Sequence, residues 1–137
     1  MSRQTPIGLI IKQLDKALTA YTDEALARYG VTRLHWQTLN VIKDADHITF
    51  EKLFEIMKVF LEKDQLDAVV NDLTQRNWVR REDSSSFSIT NEGKIGFAEL
   101  AKTQDGVRMV VMKGISQSDY STVISILQRM IDNLSRV

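Results

Sequence analysis

The stretch that decides the fold runs from Leu61 to Asp83 and reads LEKDQLDAVVNDLTQRNWVRRED. Its apolar residues recur every three or four positions, which predicts an amphipathic helix over about residues 62–76. The predicted buried stripe consists of Leu66, Val69, Val70 and Leu73. The residues predicted to face outward on the same helix are Asp64, Ala68, Asn71 and Gln75.

A short β-hairpin is predicted to follow this helix. Residues 78–81 and 87–89 are rich in aromatic and β-branched side chains, and the polar run Glu82–Ser86 separates them. Such alternation favours strands and such a polar cluster favours a turn. An amphipathic helix followed by a small hairpin with arginines at its base is the layout of a winged helix-turn-helix.

Three helices are predicted before this stretch. A long first helix should end at Gly30, and a second should begin at Thr32 and finish near Lys43. Ile48 is expected in a brief extended segment, after which Thr49 caps a short third helix. The fold class is therefore mostly α, with six helices in all and one small β-hairpin.

Two further helices are predicted after the hairpin. One opens at Thr90 and continues to Val111, with Gly106 and Gly114 as places where it could be interrupted. The last begins at Ser116 or Ser118 and carries an apolar stripe to the C-terminus. Such a stripe needs a partner, which is either the long first helix or a second subunit.

Composition is ordinary for a soluble protein and narrows the function classes. The chain has 137 residues, no cysteine and a formal net charge of zero. One domain is expected, with no disulfide and no thiol chemistry, and a cytoplasmic location is compatible with this. We identify no secretion signal at the N-terminus and no membrane span. Neutrality counts against nucleic-acid binding unless the cations cluster on one face.

Three phrases carry a family resemblance: Gly30–Leu39, Leu73–Arg81 and the Ile-Thr-Asn-Glu-Gly run at 89–93. Their order and spacing resemble the MarR family of bacterial transcriptional regulators over nearly the whole chain. The resemblance implies a single domain over 1–137, with a winged helix-turn-helix at about 32–94 and dimerisation helices at 5–29 and 95–137. It also implies a homodimer that presents two winged domains to successive major grooves.

The chain departs from the family pattern at three places. The family commonly carries an Asp-x-Arg element in a longer wing, whereas Asp83 is followed here by three serines. The recognition helix offers Asp64 and Asp67 where the family usually offers serine, threonine and arginine. Asn77 replaces a preferred glycine, which is tolerable because asparagine also adopts the left-handed conformation at helix ends.

Two sets of residues are candidates for contacting DNA. The cations that flank the helix exit and the hairpin base are predicted to contact phosphates. Amides on the outer helix face are predicted to contact bases, and Asp64 or Asp67 could accept from a cytosine amino group. The phosphate set is Arg76, Arg80, Arg81 and Lys94, and the base set is Gln65, Asn71 and Gln75.

Other site types have weaker support in the sequence. His35 and His47, with Asp46 or Glu51 nearby, do not reproduce a recognised closed metal site, so no metal or cofactor is expected. No nucleophile motif or phosphate-binding glycine loop is present, which argues against an enzyme. Four larger apolar side chains are most simply explained as core residues. The resemblance also implies a cavity for a small aromatic effector between the dimerisation helices and the winged domain. The residues that could line it are Tyr21, Trp36, Phe97 and Met109.

The leading hypothesis is a homodimeric MarR-like regulator that binds duplex DNA. The alternative is a winged-helix module that has lost duplex recognition and uses its acidic helix face to bind another protein.

Overall fold

The computed structural model describes residues 5–136. Residues 1–4, where the sequence predicted no secretion signal, and Val137 lie outside the described residues. Six α-helices and three strands are present in the described part. They are α1 (Ile7–Leu26), α2 (Arg33–Ala45), β1 (Ile48–Thr49), α3 (Phe50–Met57), α4 (Lys63–Gln75), β2 (Val79–Arg81), β3 (Ser86–Ile89), α5 (Asn91–Val111) and α6 (Gln117–Ser135).

The turn between α1 and α2 has the predicted stop and start signals. A short 3-10 helix, Ala27–Tyr29, ends at Gly30, whose φ of 72° lies in the left-handed region that glycine tolerates best. Thr32 precedes α2 with extended backbone, and His35 accepts from its backbone N–H through Nδ1 at 3.1 Å. A Thr-x-x-His pair thus performs the task of a capping box.

Helices α2, α3 and α4 pack into the core of the winged domain. The Thr49 hydroxyl caps α3 by accepting from the Lys52 N–H at 3.2 Å, as predicted. The predicted stripe of α4 is buried, with relative exposures of 0–7% for Leu66, Val69, Val70 and Leu73. The outward face predicted for α4 is also confirmed, since Asp64, Ala68, Asn71 and Gln75 are all exposed.

The hairpin is part of a three-stranded antiparallel sheet with strand order β1-β3-β2. In the hairpin, Val79 pairs with Ile89 and Arg81 with Phe87, which fixes Arg80 opposite Ser88. The predicted extended segment at Ile48 supplies the third strand by pairing with Phe87. Phe87 is nearly fully buried, so the central strand anchors the hairpin to the core.

Helix α5 passes unusually close to the hairpin base. The Thr90 hydroxyl accepts from the Gly93 N–H at 2.9 Å, which confirms the predicted start of this helix. A Cβ on Gly93 would overlap the Trp78 carbonyl oxygen, and one on Gly96 would lie 2.6 Å from the Trp78 ring. Gly106 does not interrupt the helix, because one glycine costs only about 1 kcal/mol in a helix of this length.

The chain divides into two compact units, one ending at Val107 and the other beginning at Arg108. The second unit contains α6, which is capped by the Ser116 hydroxyl accepting from the Asp119 N–H at 2.9 Å. Its apolar residues Val123, Ile124, Ile126, Met130, Ile131 and Leu134 are 42–76% exposed. In the first unit, α1 likewise exposes Ile7, Leu9, Ile10, Ile11, Leu14 and Tyr21.

None of the helices in the described range has an apolar stretch long enough to cross a membrane.

Candidate nucleic-acid interface

The outer face of α4 is the candidate surface for contact with a DNA groove. In helix-turn-helix proteins the second helix lies in the major groove and its N-terminal residues approach the base edges. In this chain the N-terminal half of α4 exposes Asp64 and Asp67. The face is therefore acidic at the end that would lie nearest to the bases.

The three predicted base-contacting amides have different surroundings. Gln65 Oε1 accepts from the Glu62 backbone N–H at 2.8 Å, so this side chain caps its own helix and keeps only its amide N–H groups free. Asn71 Oδ1 lies 3.5 Å from an Arg81 Nη2 donor. Gln75 is exposed at the last position of α4. The sequence analysis missed this cap, which the Glu-x-x-Gln spacing of Glu62 and Gln65 could have indicated.

Arg80 and Arg81 extend from β2 and are exposed, as the edge position of this strand in the sheet allows. The Arg80 side chain is 63% exposed and its Nε lies 3.5 Å from Glu82 Oε1. The Arg81 guanidinium lies 5.0 Å from the centre of the Phe87 ring, which holds it against the hairpin. Both guanidinium groups keep N–H donors available for an anion.

A polar groove joins three of the predicted cations. Its volume is about 890 Å³, and it runs between the end of α4, the hairpin and the first turn of α5. Arg80, Arg81 and Lys94 line it, so the structure brings these three side chains to one surface. Asp46, Glu82 and Glu92 also line the groove and reduce its positive potential.

Arg76, the fourth predicted cation, has a different environment. Its Nε donates to Asp72 Oδ2 at 2.9 Å, and its two terminal nitrogens donate to the carbonyls of Tyr29 at 2.9 Å and Gly30 at 2.8 Å. Its guanidinium also lies 5.5 Å from the Trp78 ring centre. The guanidinium thus makes internal bonds in three directions, and it is not among the residues that line the groove.

Sequence reasoning missed the partners of Arg76. Asp72 also accepts from His35 Nε2 at 2.9 Å, so one carboxylate joins α2 and the end of α4. Burial lowers the pKa of His35, while Asp72 opposes that effect. The i,i+4 spacing of Asp72 and Arg76 was the available signal for their ion pair. No feature of the sequence near Arg76 indicated its bonds to the Tyr29 and Gly30 carbonyls.

The wing tip lacks a cation, as the sequence indicated. Strands β2 and β3 are joined by residues 82–85, all of them exposed. Asp83 Oδ1 accepts from the Ser85 N–H at 2.9 Å, and this backbone bond lowers the pKa of the Asp83 carboxyl. The tip is therefore a compact turn with a fixed negative charge.

Asn77 ends α4 in the conformation that its sequence position predicted. Its φ is 62°, in the left-handed region, and its side-chain amide donates to Glu92 Oε1 at 2.8 Å. The Asn77 carbonyl in turn accepts from the Thr90 hydroxyl at 2.5 Å. These bonds connect the end of α4 to the start of α5 and fix the floor of the groove.

The two histidines occupy separate environments. His35 bonds to Thr32 and Asp72, whereas His47 is exposed and has Nε2 3.1 Å from the Ser86 hydroxyl. Within residues 5–136, no group of three or more potential metal-ligating side chains was found.

The residues predicted to line an effector cavity differ in burial. Trp36 and Phe97 stack with ring centres 4.7 Å apart, and Lys43 Nζ lies 4.8 Å from the Phe97 ring centre. Tyr21 and Met109 are exposed. The Trp36–Phe97 pair packs as ordinary partly buried core, which was the default interpretation.

Comparison with solved structures identifies proteins with the same fold. Neither a protein-family model nor a curated protein matches the sequence. Among solved structures, the reduced form of MarR from E. coli superimposes with a TM-score of 0.80 at 17% identity, covering 93% of this chain and 95% of that one. The transcriptional regulator PA3341 gives a TM-score of 0.81 at 24% identity, covering 96% of this chain and 100% of that one.

A further solved structure is a cysteine-to-serine mutant of MarR from E. coli complexed with operator DNA. Its TM-score is 0.79 at 17% identity, covering 91% of this chain and 93% of that one. These similarities extend over nearly the full length of both proteins in each pair. The chain therefore has the MarR-type winged-helix fold, which confirms the fold predicted from the sequence.

Proposed function

We propose that this protein is a DNA-binding transcriptional regulator of the MarR type that acts as a homodimer on duplex sites. The observation that supports this most directly is the shared groove at the hairpin base, where Arg80, Arg81 and Lys94 lie together next to the end of α4. Its fold is also that of a protein solved in complex with operator DNA. Because it would act on chromosomal DNA, we place it in the cytoplasm.

The proposed contacts divide into two kinds. Arg80, Arg81 and Lys94 would contact phosphates beside the major groove, which fixes position and orientation without reading sequence. The exposed face of α4 would approach the base edges, with Asn71 and Gln75 as amide donors and acceptors. Gln65 would offer its amide N–H groups, since its oxygen already accepts the bond that caps α4.

Local charge sets the expected strength of binding. The chain carries 18 cationic and 18 acidic residues, so affinity depends on local charge and not on total charge. Each phosphate neutralised by a cation releases counterions and adds about 0.9 to the salt slope of the binding constant. Asp64 and Asp67 oppose this attraction, and we expect weaker non-specific binding than in a basic regulator.

The dimer is proposed from the exposed apolar faces of α1 and α6. Each helix presents a row of aliphatic side chains that a single chain leaves in contact with water. A second copy would bury these rows and would set two α4 helices about 34 Å apart, one turn of DNA. Burial of such surface contributes roughly 25 cal/mol per Å² before the costs of association.

The proposal also includes a small aromatic effector. Trp36 and Phe97 are already stacked on each other, so a ligand would have to separate or extend that pair. Titration of the wild-type protein with benzoate, followed by Trp fluorescence against a Trp36→Phe control, tests this. A saturable change that depends on Trp36 supports an effector, and an unchanged spectrum removes it from the proposal.

The central test is a duplex titration over a salt series. Labelled duplexes obtained by random-oligonucleotide selection are titrated with wild type and with an Arg80→Ala/Arg81→Ala/Lys94→Ala variant. We expect the variant to lose at least about tenfold in affinity for every sequence, with a log–log salt slope smaller by about 2–3. A matched control is Lys102→Ala, an exposed lysine on α5 that pairs with Glu99.

The second candidate is a protein-interaction module that no longer binds DNA. It is favoured by one observation, the exposure of Asp64 and Asp67 at the end of α4 that would approach the bases. If wild type binds no duplex even at low ionic strength, the regulator proposal is lost and this candidate takes its place. If an Asp64→Asn/Asp67→Asn variant binds non-specific duplex more tightly than wild type, α4 faces the phosphates and the regulator proposal gains support.

A further inference from the structure

The carboxylate of Asp72 on α4 accepts two hydrogen bonds from side chains that do not belong to the proposed DNA-contacting set. Asp72 Oδ2 accepts from His35 Nε2 at 2.9 Å and from Arg76 Nε at 2.9 Å. We call His35, Asp72 and Arg76 the Asp72 cluster. It joins the first turn of α2 to the last turn of α4, where the exposed face of α4 meets the hairpin.

The cluster also binds the turn that follows α1. Through Arg76 it holds the backbone carbonyls of Tyr29 and Gly30, which are 47 and 46 residues away in sequence. Glycine is favoured at position 30 for two reasons. Its φ of 72° is one that other residues rarely adopt, and a Cβ there would lie 3.0 Å from Arg76 Nη2. The end of α4 is thus fixed to the backbone of a turn and not to a mobile side chain.

The hydrogen bonds define the state of His35. Nδ1 accepts from the Thr32 backbone N–H at 3.1 Å, so the ring proton belongs on Nε2, which then donates to Asp72. The charged groups that influence the ring are Asp72, Arg76 and Asp23. A neutral, partly buried histidine with both ring nitrogens hydrogen-bonded holds the start of α2 at a fixed distance from Asp72 on α4.

We propose that the Asp72 cluster positions α4 for sequence-specific DNA recognition, and that Arg76 acts through this alignment and not as a phosphate ligand. The inference rests on the proposed function. Specific recognition requires α4 to sit within a fraction of an ångström of its productive position, whereas non-specific binding needs only the cations. The cluster therefore governs the ratio of specific to non-specific affinity.

The test compares two isosteric or charge-preserving variants on two duplexes. Arg76→Lys keeps the positive charge but offers one ammonium group in place of a planar guanidinium that reaches three acceptors. Asp72→Asn removes a negative charge, which by electrostatics alone would tighten binding. Each variant and wild type are titrated over a salt series with a selected duplex and with a scrambled one.

We expect both variants to lose at least about tenfold in affinity for the selected duplex. On the scrambled duplex Arg76→Lys should keep wild-type affinity and salt slope, and Asp72→Asn should bind at least as tightly as wild type. Retained non-specific binding also shows that the variants are folded. The matched control is Asp44→Asn, an exposed aspartate that pairs with Lys43, and it should not weaken specific binding.

Two results would overturn the inference while leaving the regulator proposal intact. One is unchanged or tighter specific binding by Asp72→Asn. The other is wild-type behaviour of Arg76→Lys together with an Arg76→Ala salt slope that is smaller by about 0.9, which would make Arg76 a phosphate ligand. Absence of duplex binding by wild type itself would remove the regulator proposal and this inference with it.

Discussion

Helices α4 and α6 are both amphipathic, yet their apolar stripes have opposite fates in the folded chain. Leu66 and Leu73 of α4 are fully buried, whereas Leu134 of α6 is 76% exposed. The α4 stripe is satisfied by α2, α3 and the sheet. The α6 stripe finds no comparable cover within its own compact unit. The same sequence pattern therefore specifies a core in one region and an exposed apolar stripe, our proposed association surface, in the other.

The largest expected effect is the difference in unfolding free energy between alanine substitutions at Leu73 of α4 and at Leu134 of α6. Leu73→Ala should lower the free energy of unfolding by about 2–5 kcal/mol, because it removes a fully buried side chain and leaves a cavity. Its cost should be the same at every protein concentration. Leu134→Ala should cost less than about 0.5 kcal/mol in dilute protein and more as concentration rises. Denaturant unfolding at several concentrations checks both, and equal concentration dependence would contradict the comparison.

A second change tests how tightly the packed region is built. Gly93→Ala should destabilise the protein by about 1–3 kcal/mol or more, since the new Cβ would overlap the Trp78 carbonyl oxygen, which belongs to rigid backbone. Trp fluorescence during urea unfolding measures the loss. A variant as stable as wild type would show that α5 and the hairpin base can separate at little cost.

A third change addresses the association surface. Ile131→Glu places a charge in the exposed stripe of α6 and should weaken self-association at least tenfold, about 1.4 kcal/mol, without unfolding the chain. Sedimentation equilibrium gives the dissociation constant and circular dichroism gives the helix content. Ser125→Glu, an exposed polar position on the same helix, is the control. Wild-type association in the Ile131 variant would exclude this stripe from the interface.

A small gain in stability is expected at Gly106, where an added side chain would meet no neighbouring atom. Gly106 lies within α5 and a Cβ there meets no atom within 4 Å. Gly106→Ala should therefore stabilise the protein by roughly 0.5–1 kcal/mol through helix propensity alone. Thermal unfolding measures it. A destabilised variant would reveal a neighbour at this position, such as a second subunit.

The smallest effect is a pH dependence that belongs to the packed region. The pKa of His35 lies below its ordinary value of 6.5, chiefly because burial disfavours the charged ring. The unfolded chain then takes up a proton before the folded protein does. The contribution of His35 to stability is complete above about pH 6.5 and declines as pH falls toward the lowered pKa. Unfolding of wild type and of His35→Gln between pH 5 and 8 tests this, because the variant should lose the part of the slope that His35 contributes.

Local pattern was enough to predict most of the fold. The stripe of α4, the caps at Thr49 and Ser116 and the left-handed Asn77 follow from periodicity and from chemistry within a few residues. The third strand was foreseen only as an extended segment, because its pairing with Phe87 joins residues distant in sequence.

The candidate site was harder to predict for the same physical reason. Sequence shows that Arg76 is charged, but not that two carbonyls 46 and 47 residues away accept its hydrogen bonds. In contrast, Arg80 and Arg81 were placed correctly on the hairpin, because the residues that predict the strand and its turn are neighbours in the sequence. Whether those side chains contact phosphates depends on a partner molecule and stays a prediction.

The turn at residues 82–85 has a consequence for the shape of a complex with DNA. A wing this short, with a carboxylate at Asp83, would offer no cationic side chain to the minor groove beside a bound half-site. The narrow groove beside each half-site would remain hydrated. A dye that lodges in A·T-rich minor grooves should then share the duplex with this protein, where a regulator with a longer arginine-bearing wing would displace it.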